Sequence, residues 1–294
     1  MLYQISMNKQ NWLALKHRNK IIFLVIASDN PEHVLDESTQ KITWGRDNLE
    51  EILWLRGGTK TEFNTHKRTL KVEVSEEYHN ILRKTIEGMR WLLSNQEFEF
   101  LIRANVSTYF DVNRVHEYLS TVTTNDLFLG GYIDFLGNKD GNNSKENVFV
   151  NGGAIFLNRK SVKALERMNA EDWLNLPDDV AISRFLINQG AIPTYIPRSN
   201  TSNTGFLRKR IYFRMKSSEN KSMASLRMLK LDQINQSSSK REKLRLLFDF
   251  HLQEVRYFRI NFRNPVRYGL SVYSIFSSSI RARRIRKRWS RTNG

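Results

Sequence analysis

The sequence predicts an α/β sandwich built on a mostly parallel sheet, and three observations carry that expectation. Ile21–Ala27 is an unbroken apolar run, too short to span a bilayer and right for a buried strand. Strand-like runs then alternate with segments whose apolar residues recur at helical spacing. Polar residues fall where strands end, most clearly Arg103-Ala104-Asn105 after Phe98–Ile102. In an open sheet of this kind, ligands gather at the carboxyl ends of the strands.

Taken in order, Ile21–Ala27 opens into Ser-Asp-Asn-Pro, where Asp29 or Asn30 can cap a helix starting at Pro31. "EILWLRGG" and "TLKVEV" read as further strands, the first closed by Gly57-Gly58. From Glu76 to Ser94, Tyr78, Leu82, Ile86 or Thr85, Met89 and Leu93 form one apolar stripe, a helix leading into Phe98–Ile102. A short helix around Val112–Leu119 follows, then the strands "DLFLGGYID" and "VFVNGGAIFL" and a helix from Ser161. "PDDVAISRFLINQG" has Pro177 and two aspartates for its first turn and Gly190 for its end. "AIPTYIP" is one more strand.

Composition excludes several classes of chemistry. The 294 residues, 34.7 kDa, contain no cysteine, so disulfides, thiolate ligands and thiol nucleophiles are absent, and a reducing, cytoplasmic setting is expected. The six histidines, at 17, 33, 66, 79, 116 and 251, show no HxH or HExxH spacing. Neither GxGxxG between strand and helix nor GxxxxGK[ST] occurs. The net charge of +17 is unevenly distributed: residues 1–200 hold 24 basic and 25 acidic side chains, the last 94 hold 23 and 5. A near-neutral domain at 1–216 and a helical, strongly basic extension at 217–294 are therefore expected.

Three of these stretches together resemble one family. "EEYHNILRKTIEGMRWLL", "NGGAIFL" and "PDDVAISRFLINQGAI" are similar in order and spacing to a pattern of the fringe and β-1,3-galactosyltransferase-like glycosyltransferases. The likeness covers roughly residues 20 to 216. It implies a three-layer, Rossmann-like GT-A domain, a nucleotide-sugar donor (UDP foremost), inverting transfer of a hexosyl group, and a glycan or lipid-linked acceptor, as in polysaccharide biosynthesis. The family's next strand ends in Asp-x-Asp, which holds Mn or Mg against the donor diphosphate; this chain has Arg103-Ala104-Asn105. An arginine cannot ligate a cation and Asn105 offers one neutral oxygen, so the departure argues against the metal.

Site residues follow on the same basis. Arg103, Asn105 and Lys84 are donor-binding candidates. In "RKRIYFRMKS", Arg214 and Lys216 alternate with Ile211, Phe213 and Met215, so a strand there would put both cations on one face, ready to replace the metal's charge. The plain reading of that segment is a solvated edge strand, and Lys84 can equally be a solvated charge. The resemblance places the catalytic base at Asp178 or Asp179, with Asp179 favoured; first-turn aspartates also cap helices without catalysing anything. Gly152 and Gly153 would let the main chain approach the sugars.

The tail ends in a basic run, Arg281 to Arg291, containing Trp289 and preceded by apolar residues from Leu270 to Phe276. That pattern suits an anionic membrane surface and a peripheral location. Nucleic acid is the weaker alternative, since no zinc finger, RNP sequence or GXXG loop is present. A fold of this type that has lost catalysis and binds sugars or polyanions is the alternative function.

Overall fold

The computed structural model describes residues 20–123, 125–136, 148–200, 211–215 and 223–237, with positions 239, 242 and 246. Eight strands form one sheet: β1 (Ile21–Ile26), β2 (Ile52–Gly58), β3 (Glu62–Asn64), β4 (Thr69–Glu73), β5 (Phe100–Asn105), β7 (Phe128–Phe135), β8 (Val148–Asn158) and β9 (Ile192–Tyr195). Their order is β3-β4-β2-β1-β5-β8-β7-β9. The pairs β4/β2, β2/β1, β1/β5 and β7/β9 are parallel, while β3 and β8 run against their neighbours. A three-stranded sheet, β10 (Arg198–Asn200), β11 (Tyr212–Arg214) and β6 (Thr108–Phe110), lies beside it in that order. The expected α/β class with a mostly parallel mixed sheet is thus observed.

Helices cover both faces. Ile22, Leu24 and Ile26 of β1 pack with α2 (Ile81–Asn95), α4 (Arg159–Glu166) and α5 (Asp178–Asn188) through Leu82, Ile86, Val162, Leu165 and Ile182. Ile21, Phe23 and Val25 face the other way, onto Trp44, Phe110, Val115 of α3 (Val112–Leu119), Tyr212 and Met228. Side chains alternate along a strand, so a strand buried on both faces needs apolar residues at every position, which is why Ile21–Ala27 is unbroken. The helix α6 (Met223–Gln236) packs on α1 (Pro31–Ile42), and its Ala224, Met228 and Leu231 join the same core. Apart from positions 237, 239, 242 and 246, the rest of the expected basic extension lies outside the described residues, as does the candidate Lys216.

Helix boundaries follow the caps. Asn30 accepts from the Glu32 amide to start α1, Asp111 from Arg114 to start α3, and Asn158 from Ser161 to start α4. Three expectations need correction. The helix expected from Glu76 begins at Ile81 after a 3₁₀ turn at Tyr78–Asn80, which leaves Tyr78 83% exposed instead of in the apolar stripe. Strand β5 continues through Arg103-Ala104-Asn105, because β1 pairs with it as far as Ile26↔Asn105. The segment around Arg214 is the central strand of the small sheet, with Tyr212 and Met215 fully buried, so the solvated-edge reading fails.

Candidate active site

Strand β1 continues on one side to β2 through α1 and is flanked on the other by β5, so the sheet's order reverses between them. Ala27, just past β1, and Asn105, the last residue of β5, mark that end of the sheet. Strand β8 runs oppositely; its Ala154 pairs with Ala104, and Gly152-Gly153 lie immediately beyond.

Arg103 is buried there, its side chain 2% exposed. Its Nη1 donates to Asn105 Oδ1 at 2.8 Å and to the Gly152 carbonyl at 2.6 Å, and its Nη2 is ion-paired with Asp178. Burial pushes the Asp178 carboxyl up, against the pull of Arg103 and with the push of neighbouring Asp179. Asp179 turns the other way: its Oδ2 accepts from the Gly152 amide at 2.7 Å and its Oδ1 from the Val180 amide at 3.0 Å. Both aspartates open α5, yet Pro177 is the N-cap residue and no side chain caps there. Their carboxylates reach across to β5 and β8 instead.

Gly152 is tightly surrounded. A Cβ on it would stand 3.0 Å from Asp179 Oδ2 and 3.3 Å from Arg103 Nη1. At Gly153 it would stand 3.3 Å from Arg214 Cδ and 3.7 Å from Arg198 Nη1. Arg103, Asp179, Arg198 and Arg214 therefore surround one glycine pair.

Beside that pair is a second cluster. Asn151 Oδ1 accepts from the Gly153 amide at 3.1 Å, from Arg198 Nη1 at 2.7 Å and from Arg214 Nη1 at 2.7 Å. Arg198 lies over the Tyr132 ring, 3.9 Å from its centre, and the Tyr132 amide donates to Tyr212 Oη at 3.1 Å. Burial holds the Tyr212 hydroxyl up at about 12. Burial pushes the Arg214 guanidinium down, Arg198 adds to that, and Asp179 opposes it. Neither Arg198 nor Arg214 forms an ion pair among the described residues.

Lys84 lies at the strand ends too, and it is not solvated. Its Nζ donates to the Ala27 carbonyl at 2.9 Å and to Glu76 Oε2 at 2.6 Å, and Glu76 Oε1 accepts from the Gly57 amide at 2.5 Å. Burial pushes the Lys84 ammonium down, Glu76 raises it, and Arg103 and Arg56 push down further.

The structure thus brings Arg103, Asn105, Asp178, Asp179, Gly152, Gly153 and Arg214 together at the strand ends, with Lys84 within electrostatic reach of Arg103. Sequence reasoning missed Arg198, Asn151 and Tyr132. Asn151 carried the one available signal, a polar residue directly before Gly-Gly inside an apolar strand. Arg198 carried none, being a lone arginine after "YIP". A divalent cation does not fit these residues. The Asn105 oxygen accepts from a guanidinium, Asp178 is paired with the same group, and no cluster of three metal-ligating side chains exists among the described residues.

Fold and site together define a three-layer α/β domain with a basic, carboxylate-bearing site where its parallel strands end. No protein-family model matches the chain, and no curated protein does. Among solved structures, a glycosyltransferase involved in glycosylation of the major capsid of PBCV-1 aligns at 9% identity and TM-score 0.45, over 71% of this chain and 98% of its own. The galactosyltransferase LgtC, in complex with donor and acceptor sugar analogues, aligns at 12% and 0.45, over 75% and 98%. An inositol-1-phosphate CTP transferase from T. maritima aligns at 9% and 0.39, over 72% and 98%. Likeness at these scores is weak, and it decides neither family nor reaction.

Proposed function

We propose that this chain is a GT-A-type glycosyltransferase, similar to the fringe and β-1,3-galactosyltransferase-like enzymes, that moves a sugar from a UDP-sugar to a glycan or lipid-linked hydroxyl with inversion and without a metal. One observation carries the reading: the Asp179 carboxylate and the Arg214 guanidinium, neither in an ion pair, face the same glycine pair at the strand ends.

A carboxylate has about four lone-pair positions, and Asp179 uses two, so it can take a proton from an acceptor hydroxyl. That hydroxyl oxygen attacks the anomeric carbon from the side opposite the diphosphate. The bond to the diphosphate breaks, its electron pair departs on the phosphate oxygen, and the configuration inverts. Negative charge growing on the leaving group is stabilised by the fixed guanidinium of Arg214, in place of a cation. Arg103 neutralises Asp178 and orients the Gly152 carbonyl, so its part is internal. Lys84 holds the ends of β1 and β2 together beside the donor. The basic tail would rest on an anionic membrane, near a lipid-linked acceptor.

Turnover of a nucleotide-sugar panel (UDP, GDP, CMP, dTDP) in EDTA tests this reading. Activity should persist in EDTA and fall by about 10²–10⁴ in Asp179→Asn, with donor affinity unchanged within a few-fold. Activity abolished by EDTA would sink the metal-free mechanism, and wild-type turnover in Asp179→Asn would remove the base. Donor binding without turnover would favour a sugar- or polyanion-binding protein, a reading to which the commitment of Arg103 to Asp178 lends weight.

A further inference from the structure

We infer that Asn151 is a displaceable occupant of a receptacle for one phosphate oxygen, its amide oxygen filling the place that Arg198, Arg214 and the Gly153 amide are arranged to give to a diphosphate. The inference rests on the transferase reading only for which molecule brings the diphosphate.

Three donors converge on Asn151 Oδ1, at 2.7, 2.7 and 3.1 Å. A neutral amide oxygen has two lone pairs, so this acceptor is oversubscribed. An anionic phosphate oxygen has three and forms charge-assisted bonds roughly twice as strong as neutral ones. Two guanidinium groups bonded to the same oxygen also repel each other. The Asn151 amide cannot cancel that repulsion; an anion can. Of the other groups acting on Arg214, Asp179 and Tyr212 raise it and Arg103 lowers it. The Nε of both Arg198 and Arg214 is buried with no partner among the described residues, so only their Nη groups are engaged.

Arg198 has a support besides Asn151, and Arg214 is anchored through its backbone. Arg198 is fixed by the Tyr132 ring beneath it. Arg214 projects from the central strand of the small sheet. The missing Cβ of Gly153 leaves room against both arginines. Rotation of one short side chain lets an oxygen of the ligand take over, with Arg198 already ordered by the Tyr132 ring.

The test is pyrophosphate binding by calorimetry, with EDTA present, to the full chain. Wild type should bind. Asn151→Asp should bind at least about tenfold more weakly and melt at a higher temperature, because its own carboxylate would occupy the receptacle and pair with both arginines. Asn151→Ala should bind as tightly as wild type or several-fold tighter. No binding by wild type, unchanged binding by Asn151→Asp, or a tenfold loss in Asn151→Ala would each overturn the inference. Should Asn151→Asp fail to fold, judged by circular dichroism, Arg198→Gln must lose at least tenfold and Asn151→Ala must not. Turnover with Asn151→Asp at the wild-type rate would overturn the receptacle while leaving the transferase reading intact. The expected binding pattern without turnover of any donor would do the reverse.

Discussion

At the scale of single residues, the pairing of Arg103 with Asp178 decides what the strand end can do. An arginine 2% exposed is tolerable only because Asp178, Asn105 and the Gly152 carbonyl accept from it. Removing one partner of such a pair leaves a buried charge, at a cost of about 3–5 kcal/mol. Arg103→Met should therefore lose roughly that much stability in urea unfolding, and Arg103→Met with Asp178→Asn should recover most of it. The pH dependence has a definite sign. Burial and Asp179 already raise the Asp178 carboxyl, and Arg103 is what opposes them. A carboxyl raised in the folded state contributes stability at low pH that is lost as pH rises through its folded value. The Arg103→Met deficit should be larger at pH 8 than at pH 5. Equal deficits would mean that Asp178 is not the group left uncompensated. Arg103 was legible as a departure from Asp-x-Asp, but its partner was not, because the two lie 75 positions apart in the chain.

Among the elements, the seam between α1 and α6 carries a pH-sensitive contact. Asp36 on α1 accepts from Ser225 Oγ on α6 at 2.6 Å, and both residues are buried. Burial raises the Asp36 carboxyl from 3.8 to about 6, the Ser225 bond opposes this, and Glu32 one turn earlier adds to it. The folded value exceeds the unfolded one, so Asp36 contributes stability fully below about pH 4, and that contribution is lost as pH rises through about 6. Asp36→Asn, which mimics the protonated form, should raise Tm by about 2 °C or more at pH 7.5 and by clearly less at pH 4.5. An equal gain at both pH values would show that titration of Asp36 is not responsible. Individual helices were readable from apolar spacing and, for α1, from a local cap at Asn30; the caps at Asp111 and Asn158 came from the structure. The seam was not readable, since Ser225 and Asp36 are 189 positions apart.

Over the whole molecule, charge is segregated. The first 200 residues are close to neutral, and 23 of the 47 basic residues fall in the last 94. No helix among the described residues is long and apolar enough to cross a membrane. Attraction to an anionic surface is worth on the order of 1 kcal/mol per cation and is screened by salt. The full chain should float with liposomes containing anionic lipid, sediment with neutral ones, and release in about 0.5 M salt. Failure to float with anionic liposomes would remove the membrane reading, and tight RNA or DNA binding with no flotation would replace it.

What the sequence determined by itself was local or periodic. It included the apolar β1 that must be buried on both faces, the capped start of α1, the alternation that makes a mostly parallel sheet, and the placing of Arg103 and Asn105 at a strand end. Only the tertiary structure decided that Arg103 answers Asp178, that Asp179 reaches the Gly152 amide, and that Arg198 and Arg214 meet on Asn151. Periodicity records which face of an element is apolar, because burial acts on each residue in turn. Which charged groups meet across elements depends on how the chain returns on itself, and spacing along the sequence does not encode that.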